Sequence, residues 1–328
     1  MKNKIKTGVI GVGHLGQHHT KHYAQIKTAQ LVGVYDTDAK QSKKIAKKFN
    51  TKAYSSLDEM LDEVDGVSIV TPTKYHAKIA EICILRGKHV FIEKPISKTI
   101  KEADNIIALA KKHKVTLQVG HIERFNPALT PLNQFRVQPK YIEVQRLAPY
   151  MIRGTDIPVV LDLMIHDIDL VLSFINSPVK KIDASGVSIM TNSIDIANAR
   201  IHFENGAVAN ITSSRVAKDK VRKIKIFQQN LYITIDFLIS QMEVYRVMDK
   251  KEKGPLGIIS APIESKGKQR HIVYEKPKIE KQDALQMELI NFIESIQKKA
   301  KTIVDGVAGR EALRVALQIQ QKILEGLK

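Results

Sequence analysis

Short apolar runs alternate with amphipathic stretches through the first 120 residues of the chain. Apolar runs bounded by glycine or polar residues predict strands, and apolar positions spaced three and four apart predict helices. This alternation predicts a parallel sheet covered by helices on both faces. The predicted strands lie near 5–10, 31–35, 67–70, 89–92 and 115–119, and the predicted helices lie near 14–27, 38–49, 56–63, 75–86 and 101–113.

The pattern changes after Gly120. Apolar and polar residues alternate with a period of two from Ala197 to Phe203, and Asn205-Gly206 predicts a hairpin turn into a second alternating run. Together with strand-like runs further on, this predicts a mostly antiparallel sheet. The other expected elements are a helix beginning near Pro127, a strand near 140–148, an apolar helix over 159–175, strands near 207–211, 223–227, 232–237 and 243–247, an extended loop over 248–281 with room for a strand near 270–274, and helices near 283–299 and 306–326.

A glycine-rich turn separates the first predicted strand from the first predicted helix. Gly11, Gly13 and Gly16 form a complete G-x-G-x-x-G, and Asp36 ends the next apolar run about twenty residues further on. The first glycine allows a tight turn, the second lets backbone amides approach a pyrophosphate, and the third lets helix and strand pack closely. The helix N-terminus offers N–H donors to phosphate oxygens. These features in this order predict a bound dinucleotide.

Asp36 indicates which dinucleotide to expect. Its carboxylate would accept hydrogen bonds from a ribose 2′-hydroxyl and repel a 2′-phosphate. Thr37 and Asp38 offer no cation that would reverse this preference, although Lys40 and Lys43 lie nearby in the sequence. NAD is therefore expected as the cofactor, and NADP is the less favoured alternative.

The length of 328 residues suits two domains. The expected fold class is α/β. An N-terminal Rossmann domain, a doubly wound parallel sheet over residues 1–120, precedes a C-terminal α/β domain with a mostly antiparallel open sheet over residues 121–328. The C-terminal helices are the segment that could pack back on the first domain.

The composition narrows the classes of partner. The formal net charge is +18, and the basic residues are spread along the chain without interleaved aromatic residues. Nucleic-acid binding is therefore not expected, whereas the positive surface would attract anionic cofactors and substrates. No apolar run is long enough to span a membrane, and no secretory signal follows the charged N-terminus, so a cytoplasmic protein is expected. The single cysteine, Cys83, is expected to pack in the core.

Two further clusters follow predicted strands of the parallel sheet. Thr71-Pro72-Thr73, with His76 just beyond, follows the strand near 67–70, and Glu93-Lys94-Pro95 follows the strand near 89–92. Ligands of open parallel sheets bind beyond the carboxyl ends of the strands. From its position, Lys94 is either a cationic donor to a substrate oxygen or an ordinary surface lysine at a strand end.

A third cluster lies on the apolar helix predicted over 159–175. Asp162 and His166 are four residues apart, so one face of the helix presents both. A carboxylate that fixes the tautomer of an imidazole beside a substrate hydroxyl forms a general base, and an ion pair on the helix surface would use the same residues. His18 and His22 have the same spacing, but no third ligand is evident, so no metal site is expected.

The glycine motif, Glu93-Lys94-Pro95 and the Asp162–His166 pair, in this order, resemble the glucose–fructose oxidoreductase, inositol dehydrogenase and rhizopine-catabolism (Gfo/Idh/MocA) family. The resemblance extends over essentially the whole chain, including Thr71-Pro72-Thr73 and Arg124-Phe125-Asn126-Pro127. It implies oxidation or reduction of a sugar or cyclitol carbon with NAD or NADP and without a metal. It also implies a homodimer or homotetramer joined through the open sheet of the second domain.

The same resemblance implies roles for individual residues. Lys94, Asp162 and His166 would be catalytic: His166 accepts the hydroxyl proton, Lys94 stabilises the developing oxyanion, and Asp162 orients the pair. The residues expected to bind the cofactor, from the motif and the resemblance together, are Gly11, Gly13, His14, Leu15, Gly16, Asp36, Thr71, Pro72, His76, Glu93 and Lys94.

Residues 120–127, 146–150 and 160–169 are similar to one branch of the family. Its members oxidise C3 of UDP-N-acetylglucosamine on a route to amide-linked lipid A. The resemblance therefore implies a nucleotide-sugar substrate. Two alternatives stay open: a dehydrogenase for a free sugar or an inositol, and a non-catalytic NAD-binding sensor or regulatory protein.

A diphosphate substrate would need cations, and the planar guanidinium of arginine suits phosphate. Arg124 and Arg153 are the expected substrate-binding residues, and Arg146 and Arg215 are further candidates. Each of these arginines also has a purely structural interpretation.

Overall fold

The computed structural model describes residues 4–151, 157–249, 259–265 and 267–327. The chain divides into two units. The first comprises Met1–Phe125 and Asp283–Arg314, and the second comprises Asn126–Gln282 and Val315–Lys328. The first unit therefore includes the helix predicted near 283–299.

Strands and helices alternate up to residue 120, and strands predominate afterwards. The strands are β1 (Ile5–Ile10), β2 (Ala29–Tyr35), β3 (Lys52–Ala53), β4 (Gly66–Ile69), β5 (His89–Glu93), β6 (Leu117–Gly120), β7 (Tyr141–Leu147), β8 (Val179–Val187), β9 (Ile196–Phe203), β10 (Val208–Ser214), β11 (Val221–Gln228), β12 (Leu231–Asp236), β13 (Gln241–Asp249), β14 (Ile259–Ser265) and β15 (Lys268–Glu275). The α-helices are α1 (Gly16–Gln25), α2 (Ala39–Phe49), α3 (Leu57–Glu63), α4 (His76–Leu85), α5 (Ile100–His113), α6 (Ile165–Ile175), α7 (Ala284–Ile296) and α8 (Gly306–Gly326). The 3₁₀ turns are Thr73–Tyr75, Ile122–Phe125 and Pro127–Gln134, and the π-helical turn Val160–Met164 precedes α6.

The first unit is built on a six-stranded parallel sheet. Its strand order is β3-β2-β1-β4-β5-β6, which is the order of a doubly wound dinucleotide-binding domain. The strand order reverses between β1 and β4, so their carboxyl ends flank the crevice in which such sheets bind ligands. The predicted Rossmann fold is confirmed.

Helix α7 contributes to the core of this unit although it is distant in sequence. Leu289 and Phe292 are fully buried in one cluster with Phe91 of β5 and Tyr23 of α1. The rings of Phe91 and Phe292 meet edge-on, with their centroids 5.9 Å apart. Burial of each such side chain stabilises the fold by roughly 1.5–3 kcal/mol, so α7 is a structural component of the Rossmann unit.

The outer edge of β6 is covered by a later segment of the chain. The N–H of Val119 donates to the carbonyl oxygen of Val304 at 3.0 Å, and Gln118 pairs with Asp305 as an isolated antiparallel bridge. Helix α8 follows directly, and its Gly309 packs on Val119. An uncovered strand edge would be open to pairing with another chain, so this segment protects the sheet.

The second unit is built on a nine-stranded sheet of order β14-β15-β13-β12-β11-β7-β10-β9-β8. Neighbouring strands are antiparallel except β7 and β10, which are parallel. The predicted, mostly antiparallel sheet is confirmed. On β7, Ile142 and Val144 are buried on the same face as Arg146, which bonds to helix α6.

The opposite face of this sheet carries a row of half-buried aromatic rings across five adjacent strands. The centroids of successive rings are 5.7, 4.6, 5.5 and 5.0 Å apart. Directly opposite side chains on neighbouring strands stabilise a sheet, so this row helps to fix the register. We call the row the aromatic face; it consists of Tyr141, Phe227, Tyr232, Tyr245 and Tyr274.

The sequence prediction was wrong in two segments of this sheet. Strand β8 was not predicted. The segment 248–281 was expected as an extended loop with room for a strand near 270–274; that strand is present as β15, but its hairpin partner β14 was not predicted. Strands β8 and β14 are the two edges of the sheet. Edge strands carry charges that discourage pairing with other chains, as Lys180 and Lys181 do on β8, and such charges obscure the apolar alternation.

The single cysteine is a core residue. Cys83 is fully buried on α4, and burial raises the pKa of its thiol to about 12. A thiol with so high a pKa is protonated at neutral pH and is a poor nucleophile. None of the helices within the described ranges is both long and apolar enough to cross a lipid bilayer.

Gly309 and Gly326, both in α8, lead to opposite expectations for substitution by alanine. A Cβ on Gly309 would lie 2.6 Å from Cγ2 of Val119, whereas a Cβ on Gly326 would meet no atom within 4 Å. We expect Gly309→Ala to lower the free energy of unfolding by about 1–3 kcal/mol, because overpacking forces α8 and β6 apart. Gly326→Ala, the control, should leave that free energy unchanged or raise it slightly, since alanine favours the helix. Urea denaturation followed by circular dichroism measures both, and a wild-type midpoint for Gly309→Ala would contradict the close packing.

Candidate functional site

The glycine turn between β1 and α1 lies at the switch point of the first sheet. Gly11 has a φ of +84°, and a Cβ there would lie 2.8 Å from the carbonyl oxygen of Val70, just after β4. A Cβ on Gly16 would lie 1.9 Å from the carbonyl oxygen of Gly11, so helix and strand can meet only without a side chain. A Cβ on Gly13 would meet no atom within 4 Å. These environments fit the tight turn, the close packing and the ligand approach that a dinucleotide-binding turn requires.

Asp36 of the β2–α2 connection and Gln41 of the first turn of α2 hold the peptide groups of the glycine turn. Asp36 accepts hydrogen bonds from the N–H of Val12 through Oδ2 at 2.7 Å and from the N–H of Asp38 through Oδ1 at 3.0 Å. Gln41 donates through Nε2 to the carbonyl oxygen of Val12 at 2.7 Å. A carboxylate oxygen has two lone pairs, so the half-buried Asp36 can support the turn and still accept bonds from a ribose.

The start of helix α1 is open to solvent. Gly13, His14 and Leu15 are exposed, and the helix begins at Gly16. A helix N-terminus carries unpaired N–H groups and the positive end of the helix dipole. The residues present therefore fit the pyrophosphate of a dinucleotide, with Gly13 at the point of closest approach.

His76 joins the two loops that follow β4 and β5. Its Nδ1 lies 2.9 Å from the carbonyl oxygen of Pro95, and its Nε2 lies 2.8 Å from the carbonyl oxygen of Thr71. The imidazole is buried, and this burial lowers its pKa in spite of both backbone bonds. The sequence placed His76 among the cofactor ligands; the structure corrects this, because both ring nitrogens face backbone oxygens. Thr71 and Pro72 stay accessible, half-buried and exposed respectively.

The carboxylate of Glu93, the last residue of β5, is bonded on both oxygens within the protein. Its Oε1 accepts a hydrogen bond from Nε2 of His19 at 3.0 Å, and its Oε2 accepts one from the N–H of Lys94 at 3.2 Å. Burial opposes ionisation of this carboxyl, but the hydrogen bond from His19 and the electrostatic interactions with His19 and Lys94 hold the pKa of Glu93 below its usual range. Glu93 was expected to bind the cofactor; in the structure its carboxylate supports the chain beside Lys94.

Lys94 is half-buried and follows β5 directly. Strand β5 is the neighbour of β4, and β4 is the neighbour of β1. The carboxyl ends of parallel strands meet at one edge of a sheet, so Lys94, Thr71 and the glycine turn lie along the same edge. This is the edge at which open α/β sheets bind their ligands.

The helix that carries Asp162 and His166 does not begin as a regular α-helix. Val160–Met164 forms a π-helical turn, closed by a hydrogen bond from the N–H of Ile165 to the carbonyl oxygen of Val160. Asp162 lies in this turn and His166 in the first turn of α6, and both are half-buried. A π turn accommodates one extra residue and is frequent at functional sites. The sequence predicted the helix but not the turn.

Arg146 was a candidate for binding a substrate diphosphate, and the structure shows that this was wrong. Arg146 and Asp167 are almost fully buried and form two bonds, from Nε to Oδ2 at 2.7 Å and from Nη2 to Oδ1 at 2.8 Å. The pair anchors α6 to β7 at the residue next to His166.

Arg215 is likewise buried within the second unit and is not available to a substrate. Its guanidinium donates to the carbonyl oxygen of Ile157, and its Nε lies 3.8 Å from Oδ1 of Asp195. Burial opposes ionisation of Asp195, but bonds from the Thr191 hydroxyl and from the backbone amides of Met190, Ile189 and Thr191 lower the pKa of its carboxyl to about 2. Arg215 therefore lies against an ionised structural carboxylate.

Of the two arginines predicted to bind substrate, only Arg124 lies among the residues that the structure describes. Arg124 is half-buried in the 3₁₀ turn Ile122–Phe125 of the first unit, and its backbone N–H donates to the carbonyl oxygen of His121 at 3.0 Å. Arg153 lies outside the described residues. Substrate binding by Arg124 stays a prediction.

His18 and His22 do not share a site. His18 is exposed, whereas His22 is buried and its Nε2 lies 3.5 Å from Oδ1 of Asp283. Within the part of the chain that the structure describes, no group of three or more histidine, cysteine, aspartate or glutamate side chains is placed to hold a metal ion.

Two polar residues that organise the site were missed in the sequence. His19, three residues after Gly16, is buried and bonds to Glu93, and Gln41 bonds to the glycine turn. The signal for His19 is its position: it lies four residues before the buried Tyr23, on the inward face of α1, where a polar side chain needs a partner.

Comparison with known proteins places the chain among oxidoreductases. A family model for the GFO/IDH/MocA oxidoreductase family, described as having an NAD-binding Rossmann fold, matches residues 5–121, and the model of the GFO/IDH/MocA C-terminal domain matches residues 149–233. The sequence is 38% identical over 317 residues to the UDP-N-acetylglucosamine 3-dehydrogenase of Acidithiobacillus ferrooxidans, with 96% of each chain covered. It is 27% identical over 237 residues to the myo-inositol 2-dehydrogenase of Thermotoga maritima, with 65% of this chain and 69% of that protein covered.

Solved structures show the same relationship. The structure of UDP-N-acetylglucosamine 3-dehydrogenase from Acidithiobacillus ferrooxidans matches with a TM-score of 0.89 over 99% of both chains, at 37% identity. A probable dehydrogenase from Thermotoga maritima shares the fold, with a TM-score of 0.79 over 98% of this chain and 97% of that one, at 22% identity. The chain therefore belongs to the Gfo/Idh/MocA family of oxidoreductases, whose first domain is an NAD-binding Rossmann fold.

Proposed function

We propose that this chain is an NAD-dependent dehydrogenase that oxidises a secondary hydroxyl of a sugar, at C3 of UDP-N-acetylglucosamine or a related nucleotide sugar. The observation that carries the proposal is the similarity, over nearly the full length, to an enzyme named for that reaction. The presence of Lys94, Asp162 and His166 supports it, because these side chains suit the removal of a proton and a hydride from an alcohol.

Oxidation of an alcohol needs a base for the hydroxyl proton and stabilisation of the charge that develops on the oxygen. An imidazole has a pKa near neutrality, so His166 is proposed to accept the proton. The ammonium group of Lys94 is proposed to donate a hydrogen bond to the same oxygen, and Asp162 to orient these two groups. NAD supplies the hydride acceptor when it is bound.

A free sugar or an inositol is the second candidate substrate. The similarity to a myo-inositol 2-dehydrogenase favours it, but that similarity covers only 65% of this chain. Arg146 and Arg215 are committed to buried bonds, which leaves Arg124 and Arg153 as the arginines proposed for a diphosphate. The similarity over 96% of the chain favours the nucleotide sugar.

We further propose that the protein is a homodimer or homotetramer joined through the aromatic face of the second sheet. The rings of this face are half-buried and lie in one continuous row. Aromatic residues are enriched in protein interfaces. A second copy of the chain is the proposed occupant, because two identical faces close a two-fold dimer.

The substrate and the catalytic roles are tested by single-turnover formation of NADH with UDP-N-acetylglucosamine, free N-acetylglucosamine and myo-inositol. We expect turnover with the nucleotide sugar only. Lys94→Ala and His166→Ala should each lower the rate by about 10²–10⁴-fold, since each removes charge stabilisation or proton transfer. Lys98→Ala removes an exposed lysine nearby and serves as the control.

Other results of this experiment would contradict the proposed substrate or the proposed catalytic roles. Equal turnover of the free sugar would favour the second candidate substrate, and NADH binding without turnover of any substrate would favour the sensor. Normal turnover in Lys94→Ala and His166→Ala would contradict the roles proposed for these residues.

The choice of NAD over NADP is tested at Asp36. We expect wild-type protein to bind NADH more tightly than NADPH, because a carboxylate repels a 2′-phosphate. Asp36→Asn keeps an oxygen for the N–H of Val12 and removes the charge, so the preference should fall by roughly tenfold, or about 1.4 kcal/mol. Fluorescence titration of both nucleotides measures this, with Asp38→Asn as the control for a neighbouring carboxylate. Tighter NADPH binding by wild type would show that Asp36 does not set the preference.

The interface is tested by placing a charge in the middle of the aromatic face. Tyr232 stacks between Phe227 and Tyr245. We expect Tyr232→Lys to shift the mass measured by light scattering towards the monomer, because a buried ammonium without a partner is costly. Tyr75→Lys, at an exposed tyrosine of the first unit, should keep the wild-type mass. A monomeric wild-type protein would rule out the interface.

A further inference from the structure

A hydrogen bond from a buried imidazole joins the helix of the glycine turn to the strand that ends beside Lys94. His19 of α1 is 1% exposed, and its Nε2 lies 3.0 Å from Oε1 of Glu93. The edge of its ring packs on Phe91 of β5, with the centroids 5.4 Å apart. The helix whose N-terminus fits a pyrophosphate is thereby tied to the carboxyl end of β5.

The carboxylate of Glu93 is confined by a close contact with Gly120 and by two hydrogen bonds. Gly120 lies opposite on β6, and a Cβ there would be 3.0 Å from Cδ and from both carboxylate oxygens of Glu93. One of these oxygens accepts the bond from His19, and the other accepts the backbone N–H of Lys94. A carboxylate accepts and does not donate, so His19 must carry its proton on Nε2.

The residue after Lys94 is held as well. His76 lies within hydrogen-bond distance of the carbonyl oxygen of Pro95 on one side and of Thr71 on the other. The backbone before and after Lys94 is thus fixed by two buried imidazoles. Neither of these bonds uses the ammonium group of Lys94.

We propose that His19 is a positioning residue for hydride transfer: through Glu93 it sets the backbone from which Lys94 projects. It thereby couples the helix that fits the pyrophosphate to the group that stabilises the reacting oxygen. The inference rests on the proposed function, in which Lys94 donates to that oxygen. A misplacement of about 1 Å can cost roughly 100-fold in rate, so this bond affects catalysis without touching the substrate.

Two substitutions separate the hydrogen bond from the packing. His19→Phe keeps an aromatic ring against Phe91 but has no donor for Glu93, whereas His19→Gln keeps a donor of similar reach. His22→Phe is the matched control, because His22 is also buried on α1 but faces Asp283. Thermal unfolding and NADH fluorescence titration accompany the kinetics of each variant.

We expect His19→Phe to lower kcat with UDP-N-acetylglucosamine by roughly 10- to 100-fold, with much smaller changes in KM and in the dissociation constant of NADH. His19→Gln should recover most of kcat, and His22→Phe should keep the wild-type value below its unfolding temperature. A wild-type kcat in His19→Phe, or the same loss in His22→Phe, would overturn the proposal. A loss of NADH affinity in step with kcat would overturn it too.

Glu93→Gln gives a second measurement if His19→Phe does not fold. The single amide oxygen of glutamine cannot serve both His19 and the N–H of Lys94 in the geometry of the carboxylate. We therefore expect the same fall in kcat with NADH binding retained. A wild-type kcat in Glu93→Gln would overturn the proposal as well.

A double-mutant cycle tests whether His19 acts through Lys94. In Lys94→Ala protein, adding His19→Phe should cost less than about twofold, because the group that it positions is already absent. If the kcat losses of the two single variants multiply in the double variant, His19 acts independently of Lys94, and the proposal is overturned. Failure of the proposed function gives a different result: Lys94→Ala would then keep wild-type turnover, independently of the kcat measured for His19→Phe.

Discussion

No side chain fits between Gly16 and the carbonyl oxygen of Gly11, and the placement of the first helix depends on that contact. Because α1 must start against the end of β1, its N-terminus is fixed at the switch point of the sheet. His19 lies about one turn further along the inward face, which is why its imidazole reaches Glu93. A side chain at Gly16 would therefore displace the end of the helix that fits a pyrophosphate and the support of Lys94 together.

Most elements of the first unit could be predicted because a covered parallel sheet makes its periodicity visible; the two-residue edge strand β3 was not predicted. Strands β1, β4, β5 and β6 are mostly buried on both faces, and the helices bury one face, so apolar runs and helical spacing stand out. The edges of the second sheet could not be predicted, because β8 and β14 carry the polar residues that an edge requires. The π turn at Val160–Met164 also gave no signal, since its extra residue follows the ordinary apolar pattern of the helix.

Residue types alone could not separate the polar side chains that face a ligand from those that support them. Arg146 suited a phosphate because of its guanidinium, but that group matches a carboxylate equally well. The deciding partner, Asp167, lies 21 residues away on another element, and Glu93 lies 74 residues from His19. The strand ends at which the glycine turn and Lys94 lie could be predicted, because in a parallel sheet their position follows from the strands themselves.

Each unit supports its candidate catalytic residue in the same way. A carboxylate adjacent in sequence to the candidate, partly buried at Glu93 and fully buried at Asp167, bonds to a side chain on another element: Glu93 to His19 beside Lys94, and Asp167 to Arg146 beside His166. Such a pair adds little net stability, because desolvation of the charges offsets their attraction. Apolar side chains would stabilise these positions at least as well, but they would not fix one orientation of the backbone. These two pairs are therefore determinants of backbone geometry next to the candidate catalytic residues.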